Sequence, residues 1–98
     1  MTETLDLVLK GVWYDMIDSG EKKEEYREIK PYWKKRFRRC FKGKWFYSPY
    51  TRVRFHRGYT SKYVMCYEVK EFKIGFGRVD WGAPAHKRVF IIVLGKRL

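Results

Sequence analysis

Four residues of mixed chemistry, Gly20, Lys22, Glu25 and Arg27, lie within eight positions of one another. They follow a short helical pattern and precede a segment with strand character. On an outgoing strand Glu25 and Arg27 share a face, because side chains alternate, so the carboxylate and the guanidinium can pair. Lys22 can reach over the same point, and Gly20 permits the backbone to turn at the helix end. The spacing therefore predicts a small polar site at a helix–strand junction.

Two kinds of chemistry fit this group. A lysine whose pKa is lowered by burial beside a glutamate is a candidate for acid–base catalysis, with Lys22 and Glu25 as the catalytic pair. Alternatively, Lys22 and Arg27 bind a phosphate while Glu25 accepts a hydrogen bond from a base amine. A third interpretation is a surface cluster of charged residues without a ligand, because Lys and Glu are common at helix ends.

The positive charge of the chain is concentrated in its middle. The 98-residue sequence has 23 Lys and Arg against 11 Asp and Glu, a net charge of +12. The window 29–67 holds twelve basic residues and no acid, so the whole excess lies there. A block of one sign favours polyanions, with nucleic acid ahead of an anionic membrane. The candidate contacts to backbone phosphates are Lys34, Lys35, Arg36, Arg38, Arg39, Arg52, Arg54 and Arg57.

Aromatic residues make up 19% of the sequence, and some of them are expected at the surface. Such rings are large and rigid and can stack on flat ligands. We expect Trp45, Tyr47 and Tyr59 to stack on bases. A helix lying on a membrane surface is a weaker alternative for residues 30–41, because so small a chain needs the Trp33 and Phe37 rings of this segment in its core. Another alternative is an interaction domain whose charge serves only solubility.

The hydrophobic pattern predicts an α+β, mainly β, single domain over residues 1–98. A strand at 4–10 precedes a helix of about two turns, whose apolar face is Val12, Trp13, Met16 and Ile17. A bulge is expected near 70–71, where the apolar phase reverses. Five or six short strands with one or two short helices at one end indicate a small barrel. The other predicted elements are a strand at 25–29, a basic helix from Pro31 to Cys40 or Phe41, strands at 51–56 and from 64 onwards, and a buried closing strand at 89–94.

Several classes of protein are disfavoured by the sequence. Cys40 and Cys66 have no metal-ligand spacing, so we expect two reduced or buried thiols, with a disulfide as the alternative, and neither a metal nor a cofactor. Glu3 and Asp6 interrupt any apolar run at the start, and the apolar run at 89–94 is too short for a bilayer. We therefore expect a cytoplasmic protein without a signal peptide or a transmembrane segment.

The motif G-x-K-x-x-E-x-R after a short amphipathic helix resembles the signature of the ASCH domain family, a branch of the PUA-like superfamily. The matching residues are Gly20, Lys22, Glu25 and Arg27. The resemblance spans nearly all of the chain. It extends to an opening strand that ends in a hydrophobic–Lys pair, the run FHRGY at 55–59, the pair EV at 68–69 and the run VFIIVLG at 89–95.

The resemblance implies a PUA-like pseudo-barrel whose cleft, beside the first helix, faces RNA or a modified nucleoside. Some ASCH proteins are amidohydrolases acting on N4-acetylcytidine, and others are reported as ribonucleases. Lys22 matches the amidohydrolase lysine, but Glu25 stands where that branch has a threonine, and Glu68 and Asp80 match its later glutamate only by region. The expected function is thus an RNA- or nucleotide-binding module, with a small hydrolase using Lys22 and Glu25 as the alternative.

Overall fold

A computed structural model describes residues 3–41, 44–47, 50–59 and 62–98, and at 3, 38–41 and 44–47 it describes the backbone alone. Strands and short helices alternate in the first part of the chain, and strands dominate the rest. The elements are β1 (Glu3–Leu9), α1 (Gly11–Asp18), β2 (Glu24–Glu28), α2 (Pro31–Phe37), β3 (Arg38–Phe41), β4 (Lys44–Tyr47), β5 (Tyr50–Arg57), β6 (Val64–Phe76), a 3-10 turn (Val79–Trp81) and β7 (Arg88–Arg97).

Five of these strands form one sheet in the order β1-β5-β6-β7-β2. β1 runs parallel to β5, and the other neighbours are antiparallel. The sheet forms a half-barrel accompanied by two short helices, which confirms the predicted α+β, mainly β, small-barrel architecture. Because the order is linear, β1 and β2 are its two edge strands, and their free edges are available to build a site.

The strand β7 separates two apolar cores. Phe90 and Ile92 belong to the larger one, whereas Val89 and Ile91 belong to the smaller one. A strand with apolar side chains on both faces is buried on both sides, as predicted for this segment. The larger core also contains the alternating residues Leu5, Leu7 and Leu9 of β1, Val53 and Phe55 of β5, and Phe37 of α2. The smaller core contains Tyr26, Trp81 and Ala83.

The predicted bulge in β6 is confirmed. The register between β6 and β7 shifts on either side of Val69. Before the shift Met65 and Tyr67 are buried in the larger core, and after it Phe72 and Ile74 pack against the same core. An extra residue in one strand reverses the alternation of side chains, so the strand keeps its apolar face inward through the bend.

The second helix is shorter than predicted. It ends at Phe37, and Arg38 begins β3, which pairs with β4 in a separate two-stranded sheet. The prediction of a helix reaching Cys40 or Phe41 is therefore wrong. The residues of β4 include three aromatics, which favour strands, and antiparallel pairing satisfies the backbone groups that a longer helix would have bonded internally.

The first helix has the predicted length, and its predicted apolar face is confirmed in part, since Met16 packs against the smaller core and Trp13 is half-buried. Tyr14 and Ile17 are buried, whereas Val12 is 57% exposed. The helix stops as predicted, with Gly20 at a φ of +86° and its N–H donating to the Ile17 carbonyl at 3.0 Å. A left-handed residue of this kind commonly ends a helix. Across the described ranges, no helix has the length and apolarity needed to cross a bilayer.

Candidate functional site

A cleft of about 610 Å³ lies at the seam between the edge strands β1 and β2. One side chain bridges the seam, since Arg27 on β2 donates from Nη2 to the Val8 carbonyl on β1 at 3.2 Å. The cleft is therefore the gap that the sheet leaves by not closing into a full barrel. Its lining residues are Val8, Leu9, Lys10, Trp13, Glu25, Tyr26, Arg27, Glu28, Gly58, Tyr59, Trp81 and Gly82.

Glu25 and Arg27 both face this cleft, as the alternation along β2 predicts. The Arg27 Nη2 lies 3.0 Å from Glu25 Oε2, and the Glu25 side chain is only 7% exposed. The Arg27 guanidinium also lies 5.2 Å from the centroid of the Trp33 ring. Its Nε is buried and has no hydrogen-bond partner among the described residues. The pair thus offers a fixed acceptor and a fixed donor at the base of the cleft.

Lys22 lies beneath the cleft and is not among the residues that line it. The residue is 1% exposed, and its Nζ donates to the Trp81 carbonyl at 2.6 Å. Nζ also lies 3.2 Å from Glu25 Oε1 and 4.6 Å from the centroid of the Tyr26 ring. Burial lowers the pKa of Lys22, while the charge of Glu25 and the hydrogen bond to it act in the opposite direction. Lys22 therefore holds Glu25 and the turn at Trp81 together.

The loop after β6 is attached to the motif by the residue between Glu25 and Arg27. The Tyr26 hydroxyl donates to Glu24 Oε1 at 2.8 Å and accepts from the Arg78 N–H at 3.0 Å. Gly82 has a φ of +101°, and a Cβ there would lie 3.1 Å from the Trp13 ring. The glycine permits the loop backbone to pack directly on that ring, so the loop forms one wall of the cleft.

The cations predicted to bind phosphates fall into two groups. Lys34, Lys35 and Arg52 are exposed, and none of them has a carboxylate partner among the described side chains. Arg36 is half-buried and donates to the Tyr32 hydroxyl at 3.2 Å. The side chains of Arg38 and Arg39 lie outside the described part of the structure.

The second group is already paired with acids from outside the window 29–67. Arg54 Nε lies 2.7 Å from Asp6 Oδ1, and Arg57 Nη2 lies 3.1 Å from Asp15 Oδ2. His56 Nε2 also lies 2.8 Å from Asp6 Oδ1. The acid-free window is therefore partly neutralised in the folded chain, because β1 and α1 bring their carboxylates to β5.

Of the other predicted site residues, some line the cleft and others do not. Tyr59 is fully exposed and lines the cleft. The side chains of Trp45 and Tyr47 lie outside the described residues, as does that of Cys40, while Cys66 is a half-buried free thiol. Gly20 occupies an exposed turn and does not line the cleft. The described residues include no cluster of three or more His, Cys, Asp and Glu that could hold a metal ion.

Several residues that line the cleft are not predicted as site residues by the sequence. The helical pattern places Trp13 on the apolar face of α1, and no motif assigns a role to Trp81 or Gly82. Trp81 and Gly82 follow the strand β6 in a connecting loop, and loops often carry binding residues, but no residue pattern in the sequence distinguishes these two. Lys10, at the end of β1, likewise lines the cleft and is not among the predicted candidates.

Comparisons of the chain with protein-family models, with curated proteins and with solved structures give no match. The resemblance to the ASCH family stays a prediction based on the motif, the strand order and the closing strand.

Proposed function

We propose that this protein is an RNA-binding module of the ASCH type and that the cleft between β1 and β2 holds one nucleotide. The observation that supports this best is the polar pair of Glu25 and Arg27 in an open cleft that is also lined by Trp13 and Tyr59. A nucleobase is flat and carries hydrogen-bond donors and acceptors side by side on its edge. Aromatic rings bind its face, while the carboxylate and the guanidinium bind its edge.

The hydrogen-bonding capacity of the pair supports a base or a phosphate as the ligand. Glu25 can only accept while it is ionised, and each of its oxygens has a lone pair beyond those used by Lys22 and Arg27. The buried Arg27 Nε–H has no acceptor among the described residues. Nε is too buried to contact a ligand directly, but the Arg27 side chain is 21% exposed, so a ligand would bind it through other atoms of the guanidinium.

The surface charge supports a polyanionic ligand outside the cleft. The net charge is +12, and Lys34, Lys35 and Arg52 have no carboxylate partner among the described side chains. Basic groups of this kind bind backbone phosphates and release counterions, so the affinity falls with salt. We expect a log–log slope of roughly 0.7–0.9 for each phosphate engaged.

Fluorescence anisotropy with short labelled RNAs tests the proposal. Tyr59→Ala removes a fully exposed ring from the cleft, and we expect the affinity to fall about five- to a hundredfold. The matched control is Tyr63→Ala, which removes a ring that is 50% exposed and does not line the cleft. Equal effects of the two substitutions, or a salt slope near zero, would contradict the proposal.

A small hydrolase is the second candidate, and the lowered pKa of Lys22 beside Glu25 favours it. Because Lys22 does not line the cleft, it would have to act through Glu25. Incubation with N4-acetylcytidine and with labelled RNA tests this candidate. Product that disappears in Lys22→Ala and persists in Arg36→Ala would favour the enzyme. Binding without product, abolished by Arg36→Ala, would favour the module.

A further inference from the structure

A second cleft, of about 270 Å³, lies between β1 and α2 and continues the cleft at the seam. Val8, Arg27 and Tyr59 line both. A ligand that leaves the first cleft over Arg27 therefore enters the second one directly. A free nucleoside has no group that would extend this far, whereas a polynucleotide chain does.

Guanidinium groups and aromatic rings alternate along the α2 side of the second cleft. The Arg27 and Arg36 guanidinium groups lie 5.2 and 5.5 Å from the centroid of the Trp33 ring. Arg36 also lies 5.8 Å from the Tyr32 ring, which packs edge-on against Trp33 at 4.7 Å. Tyr32 is 58% exposed. The arrangement places an accessible ring for base stacking beside two cations that can bind the intervening phosphate.

The opposite side of the second cleft carries an acceptor. Asp6 of β1 lines it, with its carboxylate bonded to Arg54 and His56. A carboxylate has about four acceptor positions, so these bonds leave capacity for another donor. The Asp6 carboxylate repels a phosphate but can accept a hydrogen bond from a hydroxyl group. The ribose 2′-OH is the hydroxyl that distinguishes RNA from DNA.

We propose that the second cleft is a second nucleotide subsite, formed by Tyr32, Arg36 and Asp6. The ligand is then a single strand of RNA at least two nucleotides long, and not a free nucleoside. A paired strand is excluded from this subsite because a base must be unstacked to lie on Tyr32. This inference rests on the proposed function, since the strand enters through the cleft at the seam.

The experiment compares ligands of different length on the full chain. Isothermal titration uses the four nucleoside monophosphates, the four homotetramer RNAs, the matching DNA tetramers and an RNA hairpin. We expect the best RNA tetramer to bind at least tenfold more tightly than its monophosphate, its DNA counterpart and the hairpin. Tyr32→Ala should weaken tetramer binding about five- to a hundredfold and leave monophosphate binding unchanged. The control Phe76→Ala removes a ring on β6 that is 64% exposed and lines neither cleft, and it should change neither affinity.

The outcomes separate this inference from the proposed function. A tetramer that binds no better than its monophosphate, with Tyr59→Ala still weakening both, would overturn the second subsite and leave the proposed function standing. A tetramer advantage that survives Tyr32→Ala would also overturn the subsite. Equal binding of RNA and DNA tetramers would overturn the ribose contact at Asp6. If neither monophosphates nor tetramers bind, both proposals fail.

Discussion

Two carboxylates among the described residues, Glu25 and Asp6, each contact two basic side chains, and they differ in burial more than in distance. Glu25 lies 3.2 Å from Lys22 and 3.0 Å from Arg27, and its side chain is 7% exposed. Asp6 lies 2.7 Å from Arg54 and 2.8 Å from His56, and its side chain is 48% exposed. The exposed cluster has the shorter contacts, yet water screens its charges. Distance alone therefore ranks the two clusters in the wrong order of structural importance.

The two clusters also have different relations to the proposed ligand. The buried cluster is fixed by contacts from α1, β2 and the loop after β6, so it can present Glu25 and Arg27 in one orientation. In the exposed cluster Asp6 pairs with Arg54, which the sequence predicts to bind a backbone phosphate. The comparison indicates that burial creates a specific site, whereas exposure leaves charges that mainly modulate long-range attraction.

The largest expected difference between the clusters is in folding stability. Glu25→Ala leaves Lys22 buried without its carboxylate, and we expect the free energy of unfolding to fall by about 3–5 kcal/mol. Asp6→Ala, the matched control, should lower it far less, because its partners are solvated. Should Glu25→Ala fail to fold, Glu25→Gln provides the measurement, since it keeps an acceptor for Lys22. Similar losses for the Gln variant and Asp6→Ala would contradict the comparison.

The next effect concerns Lys22 and its dependence on pH. Lys22→Met leaves the Trp81 carbonyl without its donor, and we expect a loss of about 1–3 kcal/mol at neutral pH. Burial lowers the pKa of Lys22 in the folded protein below its ordinary 10.5. Between the folded-state pKa of Lys22 and 10.5, the unfolded chain therefore binds more protons at this residue than the folded protein does. Within this pH range the wild type gains stability relative to the variant as the pH rises.

Urea unfolding of both proteins between neutral pH and 10.5 measures this difference. Burial raises the pKa of Tyr14 and of Tyr26, which acts in the opposite direction, but that contribution is common to both proteins and cancels in the comparison. Lys34→Met, at an exposed position on α2, is the control and should show no such trend. A difference between wild type and Lys22→Met that is independent of pH would indicate that Lys22 is not destabilised by burial.

Much of the fold follows from local patterns. The alternation of Leu5, Leu7 and Leu9 predicts β1, the reversal around Val69 predicts the bulge, and Gly20 predicts the end of α1. These features depend on neighbours within a few residues, so periodicity and backbone preference are sufficient. The end of α2 at Phe37 was not predictable in this way, because β3 forms only with its partner β4.

The candidate site is predictable in composition but not in arrangement. The motif places Glu25 and Arg27 on one face of β2, as expected. The burial of Lys22 depends on a bond to Trp81, 59 positions away. The pairing of Arg54 with Asp6 spans 48 positions and depends on the register between β1 and β5. A count of charges along the window 29–67 cannot show which distant acids fold back onto it.

The difference between paired and unpaired cations should also be measurable in RNA binding. The double variant Lys34→Gln/Lys35→Gln removes cations without a described carboxylate partner, and we expect the salt slope to fall by roughly 0.7 for each phosphate that is no longer bound. Arg54→Gln/Arg57→Gln has the same change in net charge, but each of these residues already has a carboxylate partner. It should therefore change the slope much less. Equal changes in anisotropy titrations across a salt series would show that the ion pairs open to admit phosphates.

The smallest expected effect is the contribution of Asp6 to stability at low pH. The hydrogen bond from Arg54 is the main cause that lowers the pKa of Asp6 from its ordinary 3.8, with His56 adding to it. A carboxyl whose pKa is lower in the folded state stabilises the protein above its unfolded pKa, and that contribution is lost as the pH falls through the folded value. Asp6→Asn should thus differ slightly from the wild type at pH 7 and low salt, and not at all once the pH is below the folded pKa of Asp6 or in high salt. Urea midpoints under these conditions measure the difference. A large, salt-independent loss would mean that the exposed cluster behaves like the buried one, because only desolvated charges escape screening.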